Sequence, residues 1–129
     1  MIVVDTSVWI DYFNGVPSRP AEQLDHLLDR EAIVVGDLVL MEILQGFHSD
    51  RAAAAALDYL RAFTTVSMVG SMIAVRAASN YRALRTIGIT IRKTIDLLIG
   101  TFCIENRYTL LHNDRDFQPM AQHLGLMTA

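Results

Sequence analysis

One cysteine, one lysine and no long apolar run are the conspicuous scarcities of this chain, and each excludes something. With Cys103 alone there is no intrachain disulfide and no cysteine-based zinc cluster. Cys103 falls in an apolar helical pattern and reads as a small buried residue, so a reducing cytoplasm is the expected compartment. No apolar stretch approaches the roughly 20 residues needed to cross a bilayer, so no membrane role is expected. The start, Met1-Ile2-Val3-Val4-Asp5, has neither the basic flank nor the apolar core of an export signal. Also missing are a glycine-rich phosphate loop after a strand, a Ser-His-Asp or Cys-His constellation, internal repeats, low-complexity tails and linkers. What remains is 52% hydrophobic. A chain of 129 residues fits one domain, residues 1–129, that buries roughly two-thirds of its unfolded surface.

The formal charge of −3 is the wrong sign for a nucleic-acid binder, which usually carries a basic footprint. The acids divide by role, however. Setting aside Asp5, Glu42, Asp96 and Asp114 as metal-neutralised moves the remaining surface from −3 to +1. All basic residues but Lys93 are arginines, and Arg76, Arg82, Arg85, Arg92 and Lys93 fall in one stretch. Arginine suits bidentate phosphate contact, while a solvated helix face accounts for the same stretch equally well. Charge therefore leaves nucleic acid open.

Ile2-Val3-Val4 reads as a buried strand, and Asp5-Thr6-Ser7 as a capped turn into a helix. Gly15 to Pro20 is a loop, and Ala21 to Arg30 an amphipathic helix with Leu24, Leu27 and Leu28 on one face. Ala32 to Val35 is a second buried strand. Asp37 is placed as the N-cap of a helix over Leu38–Gln45, closed by Gly46. Asp50–Arg61 is an alanine-rich helix, and Phe63–Val69 a third strand. A long helix follows to Thr86, broken by Gly88, and an apolar helix covers Ile95–Asn106. Tyr108–Leu111 is a fourth strand, Asp116 or Phe117 opens a last helix, and Leu126–Thr128 is a fifth short strand. Alternating strands and helices predict an α/β fold, with a central parallel sheet of four to five short strands and helices on both faces.

Five carboxylates interrupt this pattern where charge is unwelcome. Asp5 follows Ile2-Val3-Val4, Glu42 sits in Leu38–Leu44, Asp96 in Thr94–Ile99, and Asp114 with Asp116 after Tyr108–Leu111. Charges in apolar surroundings are paired or coordinate metal. In open parallel sheets, sites form outside the carboxyl ends of the strands, where Asp5 and Asp114 would both emerge. Asp96 shares its helix face with Ile99, Gly100 and Cys103, and Glu42 with Leu38, Val39, Gln45 and Gly46. Each has a glycine at i+4, where another segment can approach. Simpler roles compete: Asp5 as a cap alone, Glu42 paired with an arginine, Asp116 as a cap as readily as a ligand. For Asp5 and Asp96 the site is preferred. The other acids read as surface charge, Asp11 among them. His26, His48 and His123 show no metal spacing. Trp9, Tyr12 and Phe13 read as packing residues.

Together these segments resemble a known family. Ile2-Val3-Val4-Asp5-Thr6-Ser7-Val8-Trp9-Ile10, Glu42 in its helix, Ile91-Arg92-Lys93-Thr94-Ile95-Asp96-Leu97-Leu98-Ile99 and Leu110-Leu111-His112-Asn113-Asp114-Arg115-Asp116-Phe117 are similar, in order and over the whole chain, to the PIN-domain nucleases. Within that family they resemble the VapC-type toxins of bacterial toxin–antitoxin pairs. The resemblance implies a PIN-like fold, an acidic quartet of Asp5, Glu42, Asp96 and Asp114, and Asp116 as a candidate fifth member. It implies that Thr6 or Ser7 supports the pocket by hydrogen bonding to an acid. His112 stands where many relatives carry threonine, and no role transfers to it. The partners implied are RNA, a cognate VapB-type antitoxin and a second copy of the chain. The helices over Leu38–Gln45 and Asp50–Arg61 offer apolar surface for that dimer, or belong to the core.

The chemistry expected is metal-assisted phosphodiester hydrolysis. One or two Mg²⁺ or Mn²⁺ ions suit all-oxygen ligands, and two would stand about 3.5–4 Å apart. Asp5, Asp96 and Asp114 are the expected main ligands. Glu42 would bind a second ion or orient water, and Arg92 and Lys93 are candidates for phosphate contact. The competing class is a receiver-like signalling or binding module, which would need an acidic pair after the first strand, an acceptor aspartate after a middle strand and a lysine after a late one. The chain has none of these at those places.

Overall fold

A computed structural model describes all residues, 1–129. Its elements in order are β1 (Ile2–Val4), α1 (Thr6–Phe13), α2 (Arg19–Leu27), β2 (Ile33–Gly36), α3 (Asp37–Gln45), α4 (Asp50–Leu60), β3 (Thr64–Val66), α5 (Ser71–Thr86), α6 (Thr94–Asn106), β4 (Thr109–Leu111), a 3-10 turn (Arg115–Phe117), α7 (Gln118–His123) and β5 (Met127–Thr128). The five strands form one parallel sheet in the order β3-β2-β1-β4-β5. The expected α/β fold with a parallel sheet is therefore the observed one.

Burial explains why these short strands hold. Val3 and Val4, Ile33 to Val35, and Leu110 and Leu111 are all buried. Neighbouring residues on a strand point to opposite faces, so unbroken burial means that both faces of the central strands are covered. The edge strands differ: Thr64 and Thr65 of β3 and both residues of β5 are exposed. The core continues through Leu24, Val39, Ile43, Ile99, Phe102, Phe117 and Met120. Trp9, fully buried, gathers Tyr12, Phe13, Tyr59 and Phe63 with ring centroids 5.7–6.3 Å away. Such pairs add about 0.5–1.5 kcal/mol each beyond the area they bury. The aromatic residues of α1 are packing residues, as their helical spacing predicts.

Several boundaries differ from expectation for local reasons. The loop after Gly15 ends at Ser18, whose hydroxyl caps α2 by accepting from the Ala21 N–H, with Pro20 in the first turn where its missing N–H does no harm. Asp37 is not the cap of α3, because Gly36 takes that position. The Asp37 carboxylate instead accepts from the Leu38 N–H at 2.9 Å and from the Met68 N–H at 3.0 Å, tying the start of α3 to the segment after β3. Nor does Asp116 cap the last helix: Asp114 does this for the 3-10 turn, accepting from the Asp116 N–H at 2.9 Å. Of the two i+4 glycines, only Gly100 admits a neighbour, since a Cβ there would collide with the Met120 thioether. Gly46 meets nothing beyond its own helix.

Strand order decides which loops meet. The chain leaves β1 towards β2 on one side, and β4 returns on the other, so β1 and β4 flank a switch point of the sheet. Val4 pairs with Leu111, and the Asp5 N–H bonds to the Leu111 carbonyl at 2.9 Å. Both strands therefore end together, at the place where open α/β sheets build sites.

Candidate metal and nuclease site

Asp5 caps α1, and its Oδ2 accepts from the Ser7 N–H at 3.2 Å and the Ser7 hydroxyl at 2.6 Å. Ser7 Oγ in turn accepts from the Asn113 N–H at 3.3 Å, which stitches the β1 end to the β4 end. Thr6 points the other way and donates to Glu42 Oε1 at 2.7 Å. The two hydroxyls thus divide the supporting role, Ser7 serving Asp5 and Thr6 serving Glu42. No arginine pairs with Glu42. Asp96 lies in the first turn of α6, only 6% exposed, and its Oδ2 is buried with no hydrogen-bond partner. Lys93, just before α6, places its Nζ 3.1 Å from Asp114 Oδ2 and 3.5 Å from Asp116 Oδ2.

Asp5, Thr6, Ser7, Glu42, Lys93, Asp96 and Asp114 line one cavity of about 290 Å³, with Ile10 their one apolar companion. Asp116 stands outside it, in a neighbouring cavity of about 530 Å³ that shares Lys93 and Asp114. The tightest grouping of ligand atoms is Asp96, Asp114 and Asp116, with one oxygen from each lying within 4.8 Å of the others. Asp5 and Glu42 are outside that triplet. Arg92 reaches neither acidic cavity and lines a third one.

The charges feel one another. Burial, then the charges of Asp5 and Asp114, push the Asp96 carboxyl up to about 7. Burial also raises Asp5, although its Ser7 hydrogen bonds oppose the shift. For Asp114 burial acts upward too, but the Asp116 N–H and the Lys93 ammonium outweigh it and hold the group below 3.8. Asp114 itself holds Lys93 above its ordinary value. Burial lowers His112, whose Nδ1 accepts from the Asp114 N–H at 3.2 Å and whose ring lies 5.0 Å from that of Phe117. Burial pushes the Cys103 thiol up to about 12, which keeps it inert.

Sequence reasoning missed Asn113 and Asp11, and gave Lys93 a phosphate-contact role only. Asn113, on the segment between β4 and the turn, bridges Ser7 and Asp11, donating to Asp11 Oδ2 at 3.4 Å. Asp11 is not plain surface charge; it lies one helical turn beyond Ser7, and that i+4 spacing was the available signal. Lys93 acts first as the counter-ion of the acids, a role its position three residues before Asp96 did not reveal.

A model of the family described as PIN domain matches residues 2–122. The chain belongs to the PIN-domain family. Its full length is also 31% identical to a VapC ribonuclease of Mycobacterium bovis and to ribonuclease VapC11 of Mycobacterium tuberculosis, covering 98% of each. Within the PIN family it is therefore a member of the VapC group. Among solved structures, VapBC2 from Rickettsia felis bound to a promoter DNA fragment superposes with a TM-score of 0.79 at 21% identity, covering all of this chain and 98% of that one. VapC20 of Mycobacterium tuberculosis, described as a sarcin-ricin loop cleaving toxin, superposes with 0.67 at 17% identity, over 92% and 93% of the two chains. At those identities the likeness shows the shared PIN fold. The receiver-like alternative finds no support: Asp37 does follow β2, but its carboxylate is held by the Leu38 and Met68 N–H groups and lines neither acidic cavity, and β3 ends in Val66 with no aspartate after it.

Proposed function

We propose that this PIN-domain protein is a metal-dependent endoribonuclease that hydrolyses RNA phosphodiester bonds and acts as the toxin of a toxin–antitoxin pair, inhibiting translation. The observation that carries the reading is the buried, unpartnered Oδ2 of Asp96 among further carboxylates. A buried anionic oxygen without a donor calls for a cation, and all-oxygen donors fit Mg²⁺ or Mn²⁺, one ion or two. Asp5, Asp96, Asp114 and Asp116 would hold the metal. When bound, such an ion lowers the pKa of water and stabilises charge on phosphate oxygens.

The chain's own groups do the rest. Ser7 fixes the Asp5 carboxylate by two hydrogen bonds. Thr6 holds Glu42 in the cavity wall, where its carboxylate orients the attacking water and takes its proton, or helps hold a second ion. Lys93 and Arg92 carry positive charge towards the phosphates.

The partners proposed are RNA, a VapB-type antitoxin and a second copy of the chain. Named relatives are ribonucleases, and several similar structures are VapBC complexes, including one from nontypeable Haemophilus influenzae. No helix is long and apolar enough to cross a membrane, and the cytoplasm is the proposed place of action. The test is cleavage of total bacterial RNA by metal-stripped protein, with Mg²⁺ or Mn²⁺ restored and Asp96→Asn run alongside. Discrete products that need both metal and Asp96 are expected. Cleavage that persists without metal, or that the variant reproduces, would overturn the proposal.

A further inference from the structure

Arg92 and Lys93 are neighbours in sequence but serve different cavities. Lys93 faces the acids, whereas Arg92 lines with Arg115 a hollow of about 200 Å³, completed by Thr90, Ile91, Asp116 and Pro119. Both arginines are exposed, and neither is engaged in an ion pair. The one carboxylate in that wall, Asp116, has Lys93 as its salt-bridge partner. Arg115 and Asp116 also line the larger cavity beside the acidic centre, so the hollow adjoins it along one surface. The backbone that carries the acids sets both arginines: Arg92 is four residues before Asp96, and Arg115 lies between Asp114 and Asp116. Two unpaired guanidinium forks and a threonine hydroxyl around an open hollow suit a tetrahedral oxyanion better than any neutral ligand.

We infer that the Arg92–Arg115 hollow is a subsite for one phosphate of the RNA strand, adjoining the phosphate that is cut. The scissile group has to meet the carboxylate centre, and a continuous strand places the next phosphate beside it. Arg115 gains a role that its sequence position alone did not suggest, and Arg92 is assigned to the flanking phosphate rather than the reacting one. The inference rests on the ribonuclease reading.

Fluorescence anisotropy of a short labelled single-stranded RNA of mixed sequence tests it, using metal-stripped full-length protein. Salt is varied from about 50 to about 200 mM, and the slope of log affinity against log salt is read. Arg92→Ala and Arg115→Ala should each weaken binding and flatten the slope by about 0.7, the loss of one phosphate contact on a single strand. The double variant should flatten it no further, because both arginines grip the same phosphate. Arg51→Ala, the same charge change at an exposed position outside both cavities, should leave the slope alone. Variants that match the wild type, an Arg51 effect of equal size, or twice the loss in the double variant would each overturn the subsite. A wild-type protein that binds no RNA at any salt would instead bring down the ribonuclease reading, and the subsite with it.

Discussion

Asp96→Asn should stabilise the metal-free protein while abolishing its use of metal. The Asp96 carboxyl titrates near 7 in the folded chain rather than at 3.8, because it is buried and faces Asp5 and Asp114. The folded state thus binds this proton more tightly than the unfolded chain does. Stability owed to that proton is fully present below the unfolded value, is lost as pH rises to about 7, and is flat above it. The displacement sets a ceiling of ~4 kcal/mol. The carboxyl lines an open cavity where solvent screens it, which brings the expectation to ~2 kcal/mol. Asparagine has nearly the same shape and never ionises. In EDTA at about pH 8, the urea midpoint of Asp96→Asn should exceed that of wild type by the equivalent of ~2 kcal/mol, and at about pH 4 by less than half as much. Adding Mg²⁺ should reverse the order, since only the wild type gains binding energy from the ion. An Asn variant less stable than wild type at the higher pH in EDTA would refute the reasoning, because it would mean that the folded chain already satisfies the carboxylate.

Two further outcomes are expected from neighbouring contacts. Lys93→Met removes an ammonium that shares the Asp114 and Asp116 carboxylates with any bound ion, so calorimetry should show Mn²⁺ affinity rising by up to about fivefold, the ~1 kcal/mol ceiling for an exposed pair; unchanged or weaker binding would count against this role. Thr6→Val leaves Glu42 without its 2.7 Å donor, and kcat should fall about tenfold or more with KM and the unfolding midpoint nearly constant; a change confined to KM would contradict the placing of Glu42 beside the attacking water.

The alternation of apolar strands with helices was legible because the sheet is buried on both faces. Runs such as Ile33-Val34-Val35 and Val3-Val4 have no other economical explanation in a chain this size. The acids were legible for the complementary reason: Asp96 sits on a helix whose face is otherwise Ile99, Gly100 and Cys103, all buried. What the sequence hid were contacts made across long separations by residues of ordinary type. Asp37 looked like a cap because cap residues precede helices, yet its carboxylate is held by the Met68 N–H, 31 residues away. Asp114 and Asp116 have the same side chain two positions apart, and only the backbone turn between them decides which one caps. Arg92 and Lys93 look interchangeable in sequence, but the start of α6 sends them to different cavities.

The way the fold tolerates its acids also bears on the proposed cation. Asp5 caps α1, Asp114 caps the 3-10 turn, and Asp96 lies in the first turn of α6. A helix start favours negative charge, through its free N–H groups and its dipole, by about 0.3–1 kcal/mol. Asp5 and Asp114 add hydrogen bonds from Ser7, the Asp116 N–H and Lys93, and Glu42 adds one from Thr6. Each of these donors satisfies an oxygen that would otherwise need a metal or water. Asp96 alone is left with a buried oxygen that nothing reaches, and burial, then the charges of Asp5 and Asp114, pushes its carboxyl up to about 7. One more serine or arginine aimed at Asp96 would relieve the strain and fill the place an ion would take. The deficit is local to one side chain, and in the proposed reading a bound cation fills it.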